Sequence, residues 1–338
     1  MIGKAVVLVG GQGTRMRPLT DTIPKPLIPL INRPLLDHVL DHLARHGVSE
    51  AVLSSPYLGA RFEAFLSARS APPELRWVTE ETPLGTSGAV AGVADLLDDT
   101  FLVVNGDVLT DIDLGALVRF HRQRGGVGTI ALTEVDDARP FGLVETTNDG
   151  RVLAFREKPT ERIPGTINAG TYVLEPEALS DVPRGVPVSI ERETFPSLIS
   201  GGAGLYARVS RGYWRDLGTP ESYLAAQLDA LEGRFQAPTG SVIDAAASID
   251  EAAQVSGTVL GPGCSIAEDA RVARSALLAG ARIGVGARVE DSILGPGSSV
   301  GEGATIRASV LGEGAVVLPG ASLDEERLPG PATRLPAG

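Results

Sequence analysis

The sequence predicts an α/β domain with a mostly parallel central sheet, followed by a three-sided solenoid of short parallel strands. Two observations predict it. Over residues 1 to about 218, short apolar runs alternate with helix-like periodicity, the pattern of strand–helix–strand units. From Ser241 onward, apolar residues recur every seventeen positions, and a fixed period of that kind marks a repeat architecture. A length of 338 residues also exceeds one ordinary core and fits two domains.

Strands are expected at 5–9 (AVVLV), 51–54, 101–104, 127–132 and 171–174. Between the first two, PLLDHVLDHLARHG reads as a helix ended by Gly47. SGAVAGVADLL reads as a second helix, before FLVVN. In such sheets ligands gather at the carboxyl ends of strands. Both the stretch GGQGTRMRPLTDTIPKP, Gly10 to Pro26, and NGDVL lie at such ends. TPESYLAAQLDALEGRF reads as a linking helix over 219–234, with Thr219 as N-cap and Pro220 in its first turn. The first domain is thus expected over 1–234.

The repeats are expected over 240–324. One column reads Ile243, Leu260, Leu277, Leu294, Leu311; a second reads Ile249, Ile266, Ile283, Val300, Val317; a third reads Val255, Val272, Val289, Ile306, Leu323. A glycine column, Gly263, Gly280, Gly297, Gly314, keeps step. The spacing within a period is six, six, five, which describes one coil of a prism with one inward aliphatic per side. Hexapeptide spacing of this kind resembles the left-handed parallel β-helix. The Pro-rich segment 325–338 is expected to be an irregular tail.

Composition narrows the function. Apolar residues make up 43% and charged residues 21%, and no apolar run approaches the roughly 20 residues that span a bilayer. The N-terminus enters a strand directly, so a signal peptide is not expected and a cytoplasmic location is the simplest reading. Cys264 is the single cysteine, which excludes an intrachain disulfide and a CxxC metal site. A net charge of −12 argues against a protein that coats nucleic acid. It leaves room for a phosphate-binding pocket, where a few local cations dominate. Of thirty basic residues only three are lysine: Lys4, Lys25 and Lys158. A compact ammonium at those places invites a specific reason.

The glycine-rich stretch supplies one. Gly10, Gly11 and Gly13 follow a strand, where bare Cα atoms let main-chain N–H groups converge on an anion. The stretch lacks the GK[ST] of a Walker A loop, and Met16 breaks a GxGxxG pattern. Arg15 follows the turn and can fork onto phosphate oxygens. Lys25 lies between prolines in IPKPLIP, which stiffen the backbone that aims it. Cradle and cations together read as a clamp for a polyanion.

GGQGTRMRPLTDTIPKPLIPL closely resembles the signature of the sugar-1-phosphate nucleotidylyltransferases. NGDVL, REKP, INAGTYVL and WRDLGTPESY match further motifs of that family in order, and the resemblance covers the whole chain. A β-helix after the catalytic domain is similar to the mannose-1-phosphate guanylyltransferase and ADP-glucose pyrophosphorylase branches. The resemblance implies a Rossmann-like nucleotidyltransferase domain over 1–234. It implies reaction of a nucleoside triphosphate with a sugar 1-phosphate to give a nucleotide sugar and pyrophosphate. It gives Arg15 and Lys25 catalytic roles, neutralising phosphate charge. Asp107 and Asp216 match the metal-binding aspartates, and hard carboxylates suit Mg²⁺. Glu157 and Lys158 match contacts to the sugar and its phosphate, with Asn168, Gly170 and Gly142 lining the sugar. Gly10, Gly11, Gly13 and Thr14 are expected around the nucleotide. So is EETPLGTSGAV, through Glu80, Leu84, Gly85, Thr86 and Gly88. That loop resembles the LGTAG type of guanylyltransferases, with Ser87 in place of Ala. It points to GTP, with Glu80 or a loop carbonyl accepting from the guanine edge, and to mannose 1-phosphate or a related sugar. The same chemistry with dTTP, UTP or ATP and glucose 1-phosphate stays open. So does a non-catalytic regulatory or assembly subunit.

Other signals carry less. His38, His42 and His46 recur every four residues and are expected on a solvated helix face. Glu191 and Glu193 are expected at a helix start, where acids favour the dipole, with no sugar contact. All four histidines lie in the first half, so the repeats lack the histidine base common in hexapeptide acyltransferases. A scaffold or assembly role is expected for them, with the chain as a homo-oligomer and with neither nucleic-acid nor membrane partners.

Overall fold

The computed structural model describes residues 2–56, 59–235, 242–330 and 334–335. The chain divides into two compact units, Met1–Gly11 with Val39–Trp214, and Gln12–His38 with Arg215–Gly338. Residues 12–38 and the linking helix therefore group with the repeats rather than with the sheet.

Among the described residues the main sheet of the first unit holds nine strands: β1 (Lys4–Leu8), β2 (Glu50–Ser55), β3 (Glu74–Thr79), β4 (Phe101–Asn105), β5 (Gly128–Val135), β6 (Gly142–Thr146), β7 (Val152–Glu157), β8 (Gly165–Leu174) and β9 (Leu205–Val209). They form one sheet in the order β7-β6-β8-β4-β1-β2-β3, with β5 on β8 and β9 on β5. The heart, β4-β1-β2-β3, is parallel, and Val6 stands between Val52 and Val103. This is the predicted Rossmann-like arrangement. Strand β8 adds an antiparallel flank against β4, β5 and β6. The β6–β7 connection is tight, with Thr147 N donating to Arg151 O at 2.9 Å, and only antiparallel neighbours allow so short a link. Val6, Val52, Val103, Ile130, Leu132, Tyr172 and Phe195 share one buried cluster.

Helix α1 (Leu35–Arg45) corrects one expectation. Its histidine face is not solvated: His38 and His42 are only 2% and 6% exposed. Leu36, Leu40 and Leu43 are buried on the same helix, and the histidines widen that stripe. Burial, then the charges of His46 and Arg45, lowers the His42 imidazole to about 4. Helices α2 (Ala60–Ala68), α3 (Gly85–Gly92), α4 (Leu114–Arg124) and α5 (Phe195–Ser200) complete this unit. Asp113 caps α4 by accepting from Ala116 N at 2.8 Å.

The second unit contains helix α6 (Pro220–Leu231), where Thr219 Oγ1 accepts from Ser222 N at 3.2 Å and Pro220 occupies the first turn, as the sequence predicts. Among the described residues the repeats build three parallel sheets of six, five and five strands. Leu260, Leu277, Leu294, Leu311 and Leu328 stack in register, one per coil, and the aliphatic columns fill one core. A polar column accompanies them at the same period: Thr258, Ser275, Ser292 and Ser309. Ser292 Oγ donates to Glu290 O at 2.6 Å and accepts from Ser309 N at 3.1 Å. The expected irregular tail continues the coils in part. Arg327–Leu328 pairs with Val310–Leu311, and Arg334–Leu335 pairs with Val316–Val317. The rest of that tail, 331–333 and 336–338, lies outside the described residues, as does the expected start of the repeats at 240.

The loop 12–38 is fastened to this second unit. Tyr223 Oη donates to Pro29 O. Gln227 Nε2 donates to the same carbonyl at 2.9 Å, and its Oε1 accepts from Ile31 N at 2.8 Å. Among the described residues no helix is long and apolar enough to cross a membrane.

Candidate active site

The predicted residues fall on both units. In the first, Gly10 follows β1 by two residues, and a Cβ there would meet Pro56 Cδ at 3.3 Å, whereas one on Gly11 would meet only open space. Glu80 lies next to Gly10, buried. Its Oε1 accepts from Ser54 Oγ at 2.9 Å and its Oε2 from Leu84 N at 3.0 Å. The carboxylate thus anchors the head of the LGTSG loop. That loop is shaped by its neighbours within the unit. Gly85 has φ +67°, and a Cβ would sit 2.7 Å from Val188 O. At Gly88 a Cβ would sit 2.6 Å from Val186 O. Thr86 Oγ1 donates to Glu191 Oε2 at 2.9 Å and accepts from Ile190 N at 2.7 Å.

At the end of β4, Asn105-Gly106-Asp107 turns tightly. Gly106 N donates to Leu8 O at 3.0 Å, and a Cβ would stand 2.9 Å from that oxygen. Asn105 Oδ1 is buried with no hydrogen-bond partner. Opposite it, Gly170 has φ +70°, and a Cβ would fall 2.7 Å from Asn105 Nδ2. Gly170 belongs to a register shift in β8 between Asn168 and Tyr172. Asn168 holds that irregularity: Oδ1 accepts from Gly170 N at 2.9 Å, and Nδ2 donates to Tyr172 Oη at 2.8 Å.

Glu157 ends β7. A Cβ on Gly142, its cross-strand partner, would stand 3.0 Å from Glu157 Oε2 and collide with the Phe155 ring at 2.6 Å. Burial, then the charge of Glu191, raises the Glu157 carboxyl above its ordinary value, against the pull of Lys158 and Arg192. Lys158 follows with φ +51°, a left-handed conformation uncommon for a side-chain-bearing residue. Its Nζ lies 3.7 Å from Glu157 Oε1 and is largely exposed. Burial, then the charges of Glu191, Glu157 and Asp107, pushes the Tyr172 phenol well up, against the hydrogen bond from Asn168.

In the second unit, Gly13 has φ +62°; a Cβ would stand 2.9 Å from Thr20 Cγ2 and 3.2 Å from Lys25 Cβ. Gly13 O accepts from Thr20 Oγ1 at 2.7 Å and from Met16 N at 2.9 Å. The turn Thr14–Met16 thereby presents Thr14 and Arg15 outward, while Lys25, 8% exposed, sits in the turn Lys25–Leu27. Asp216 Oδ1 accepts from Gly218 N at 2.9 Å. A Cβ on Gly218 would collide with that oxygen and lie 2.8 Å from Arg15 Nη2. Arg15 and Asp216, two hundred positions apart in the chain, therefore meet over one bare Cα.

Three residues at these places escape a reading of the sequence. Asn105 and Gly218 lie inside quoted motifs, but only their contacts give them weight. Glu191 stands at the helix start that the sequence predicts, yet its contacts reach further. Its segment, Ile190–Thr194, is a single wide helical turn capped by Ser189, and its carboxylate acts on Thr86, Glu157 and Tyr172. No local signal joins positions so far apart.

Residues 4–233 match the family model described as nucleotidyl transferase, and residues 238–329 match the one described as GMPPB C-terminal domain. The chain is 44% identical over 237 residues to a mannose-1-phosphate guanylyltransferase of Mycobacterium tuberculosis, an alignment covering 69% of this chain and 66% of that protein. It is 39% identical over 266 residues to mannose-1-phosphate guanylyltransferase 1 of Arabidopsis thaliana, covering 75% and 73% respectively. A crystal structure of HddC from Yersinia pseudotuberculosis superposes with a TM-score of 0.60 at 28% identity, covering 67% of this chain and 98% of that one. A second crystal structure of HddC, complexed with GMP-PN, gives a TM-score of 0.59.

Proposed function

The chain belongs to the nucleotidyl transferase family, and on that premise we propose that it joins GTP to mannose 1-phosphate, giving GDP-mannose and pyrophosphate, as the names of its relatives suggest. A phosphate oxygen of the sugar phosphate attacks the α-phosphorus in line. One P–O bond forms, and the bond to the departing pyrophosphate breaks. Both reactants are polyanions, so the protein must align them and offset their charge.

The observation that carries this reading is the junction at Gly218, where a guanidinium and a carboxylate share one bare Cα. Arg15 forks onto the triphosphate, and Lys25 adds a second cation on its stiffened arm. Gly10, Gly11, Gly13 and Thr14 form the cradle. Lys158 pairs with the sugar phosphate, and Glu157 accepts from sugar hydroxyls over the bare Gly142, with Asn168 and Gly170 shaping the floor. Glu80 supports guanine. A carboxylate has about four acceptor sites, and its two protein donors leave capacity for the N1–H and N2–H₂ edge. Leu84, Gly85, Thr86 and Gly88 hold the loop beside it.

The family generally uses a divalent metal. Asp107 and Asp216 would hold Mg²⁺. Mg²⁺ takes one or two carboxylates and fills its shell with phosphate oxygens and water. The unpartnered Asn105 Oδ1, two residues before Asp107, marks that turn as acceptor-rich. When bound, Mg²⁺ offsets phosphate charge and orients the substrates.

Pyrophosphate release, measured with five nucleoside triphosphates against mannose and glucose 1-phosphates, tests the reading. GTP with mannose 1-phosphate is expected to give the highest kcat/KM, and Arg15→Ala to lower kcat by roughly 100-fold or more. Preference for UTP, dTTP or ATP would replace the base assignment. No release with any pair would make the chain a non-catalytic subunit.

A further inference from the structure

We propose that Arg327, in the last coil of the repeats, is a positioning residue for Arg15. Its Nη1 donates to the main-chain oxygen of Arg15 at 3.2 Å, and its Nη2 donates to Glu221 Oε1 at 2.8 Å. Glu221 lies in the first turn of α6, directly after the Asp216–Thr219 segment. One planar guanidinium therefore ties the backbone of the signature arginine to the helix that begins four residues after its facing carboxylate, Asp216. The fork fixes both directions at once, which a flexible ammonium does less well.

Two further contacts show the repeats backing the same loop. Pro18 packs where Gly312 lacks a side chain, its Cβ 3.2 Å from the place a Gly312 Cβ would take. Asn32 Nδ2 donates to Leu260 O at 2.8 Å. Arg15 itself stands in a three-residue turn, closed by Met16 N on Gly13 O and Arg17 N on Thr14 O, and the bond from Arg327 adds an outside support to it.

Stability does not explain the Arg327 bridge. Its side chain and that of Glu221 are 47% and 69% exposed, and exposed ion pairs contribute about 0–1 kcal/mol. Rate is far more sensitive, because a misplacement of about 1 Å at a reacting centre can cost on the order of 100-fold.

The inference rests on the reading that Arg15 acts on the triphosphate, and the experiment separates the two. Arg327→Ala, Arg327→Lys, Glu221→Ala, Arg15→Ala and the double variant Arg15→Ala/Arg327→Ala are compared in the full-length protein. Steady-state kinetics and thermal melting are the readouts. Arg327→Ala is expected to lower kcat about tenfold, with KM for the sugar phosphate within about twofold and melting nearly unchanged. Arg327→Lys recovers part of kcat, Glu221→Ala loses a smaller part, and in the Arg15→Ala background Arg327→Ala adds no further loss. Wild-type kcat in Arg327→Ala, beside an impaired Arg15→Ala, overturns the positioning role alone. A loss that lysine does not relieve and that follows the unfolded fraction overturns it too. Full activity in Arg15→Ala instead removes the reading of Arg15, and this inference with it.

Discussion

A missing methyl group sets the geometry at one of the two most informative residues of the candidate site, and charge sets the behaviour of the other. At Gly218 an added Cβ displaces the ends of two flexible side chains, Asp216 and Arg15, and not the backbone. Gly218→Ala should therefore fold, costing about 1–3 kcal/mol as mild overpacking, yet lower kcat by roughly 10- to 100-fold through misaimed charge. Circular dichroism beside pyrophosphate release checks both halves, and a wild-type kcat would remove the junction from the mechanism. At Glu157 the issue is charge. Burial and then Glu191 raise its carboxyl, so the group takes up a proton at a higher pH than an exposed glutamate would. Below that pH it no longer accepts as a carboxylate from sugar hydroxyls. The acid limb of kcat/KM for the sugar phosphate should accordingly lie at higher pH than an exposed glutamate would give. Glu191→Gln removes one raising influence and should shift that limb to lower pH. A limb that stays in place would dissociate Glu191 from the site.

Among the elements, helix α1 contrasts propensity with burial. Its four-residue histidine spacing reads as a face, but spacing alone does not say which face meets water. The structure buries His42 neutral, at about 4 against an ordinary 6.5. The unfolded chain binds the extra proton first, so the native state is favoured fully above about 6.5 and progressively less down to about 4. The shift corresponds to about 3 kcal/mol at most. Urea unfolding at pH 7 and pH 4.5 should show much of that loss in the wild-type protein and a flatter dependence in His42→Leu. The repeats lie at the other extreme. Their seventeen-residue period appears unchanged as Leu260 over Leu277 over Leu294, because each coil contacts only its neighbours and local pattern is enough.

At the scale of the molecule, the unexpected assignment is that of residues 12–38, which group with α6 and the coils. Pro29 and Ile31 are bonded from α6, and Arg15 and Asn32 from the repeats. Damage to the coils should therefore reach the loop. Leu294, fully buried in a central coil, serves as the probe. Leu294→Ala should destabilise that unit by about 2–5 kcal/mol. Activity should then be lost at a lower urea concentration than in the wild type, while the intrinsic fluorescence of Trp77 and Trp214, both in the first unit, still reports native packing. Simultaneous loss of both signals would show that the two units open as one.

Much of this protein was legible in its sequence because much of it is local or periodic. The parallel heart of the sheet, the capped helix at Thr219, the repeat columns and the order of the signature motifs all follow from short-range pattern, which the chain states residue by residue. What tertiary structure decided is which distant groups meet. The antiparallel flank on β8 was decided there, as were the burial of the histidine face and the continuation of the coils past 324. So were the meeting of Arg15 with Asp216 over Gly218 and the approach of Glu191 to Glu157. Each depends on atoms brought together from separated positions in the chain, and the energy of such a meeting is a property of the folded packing that no local window of residues contains.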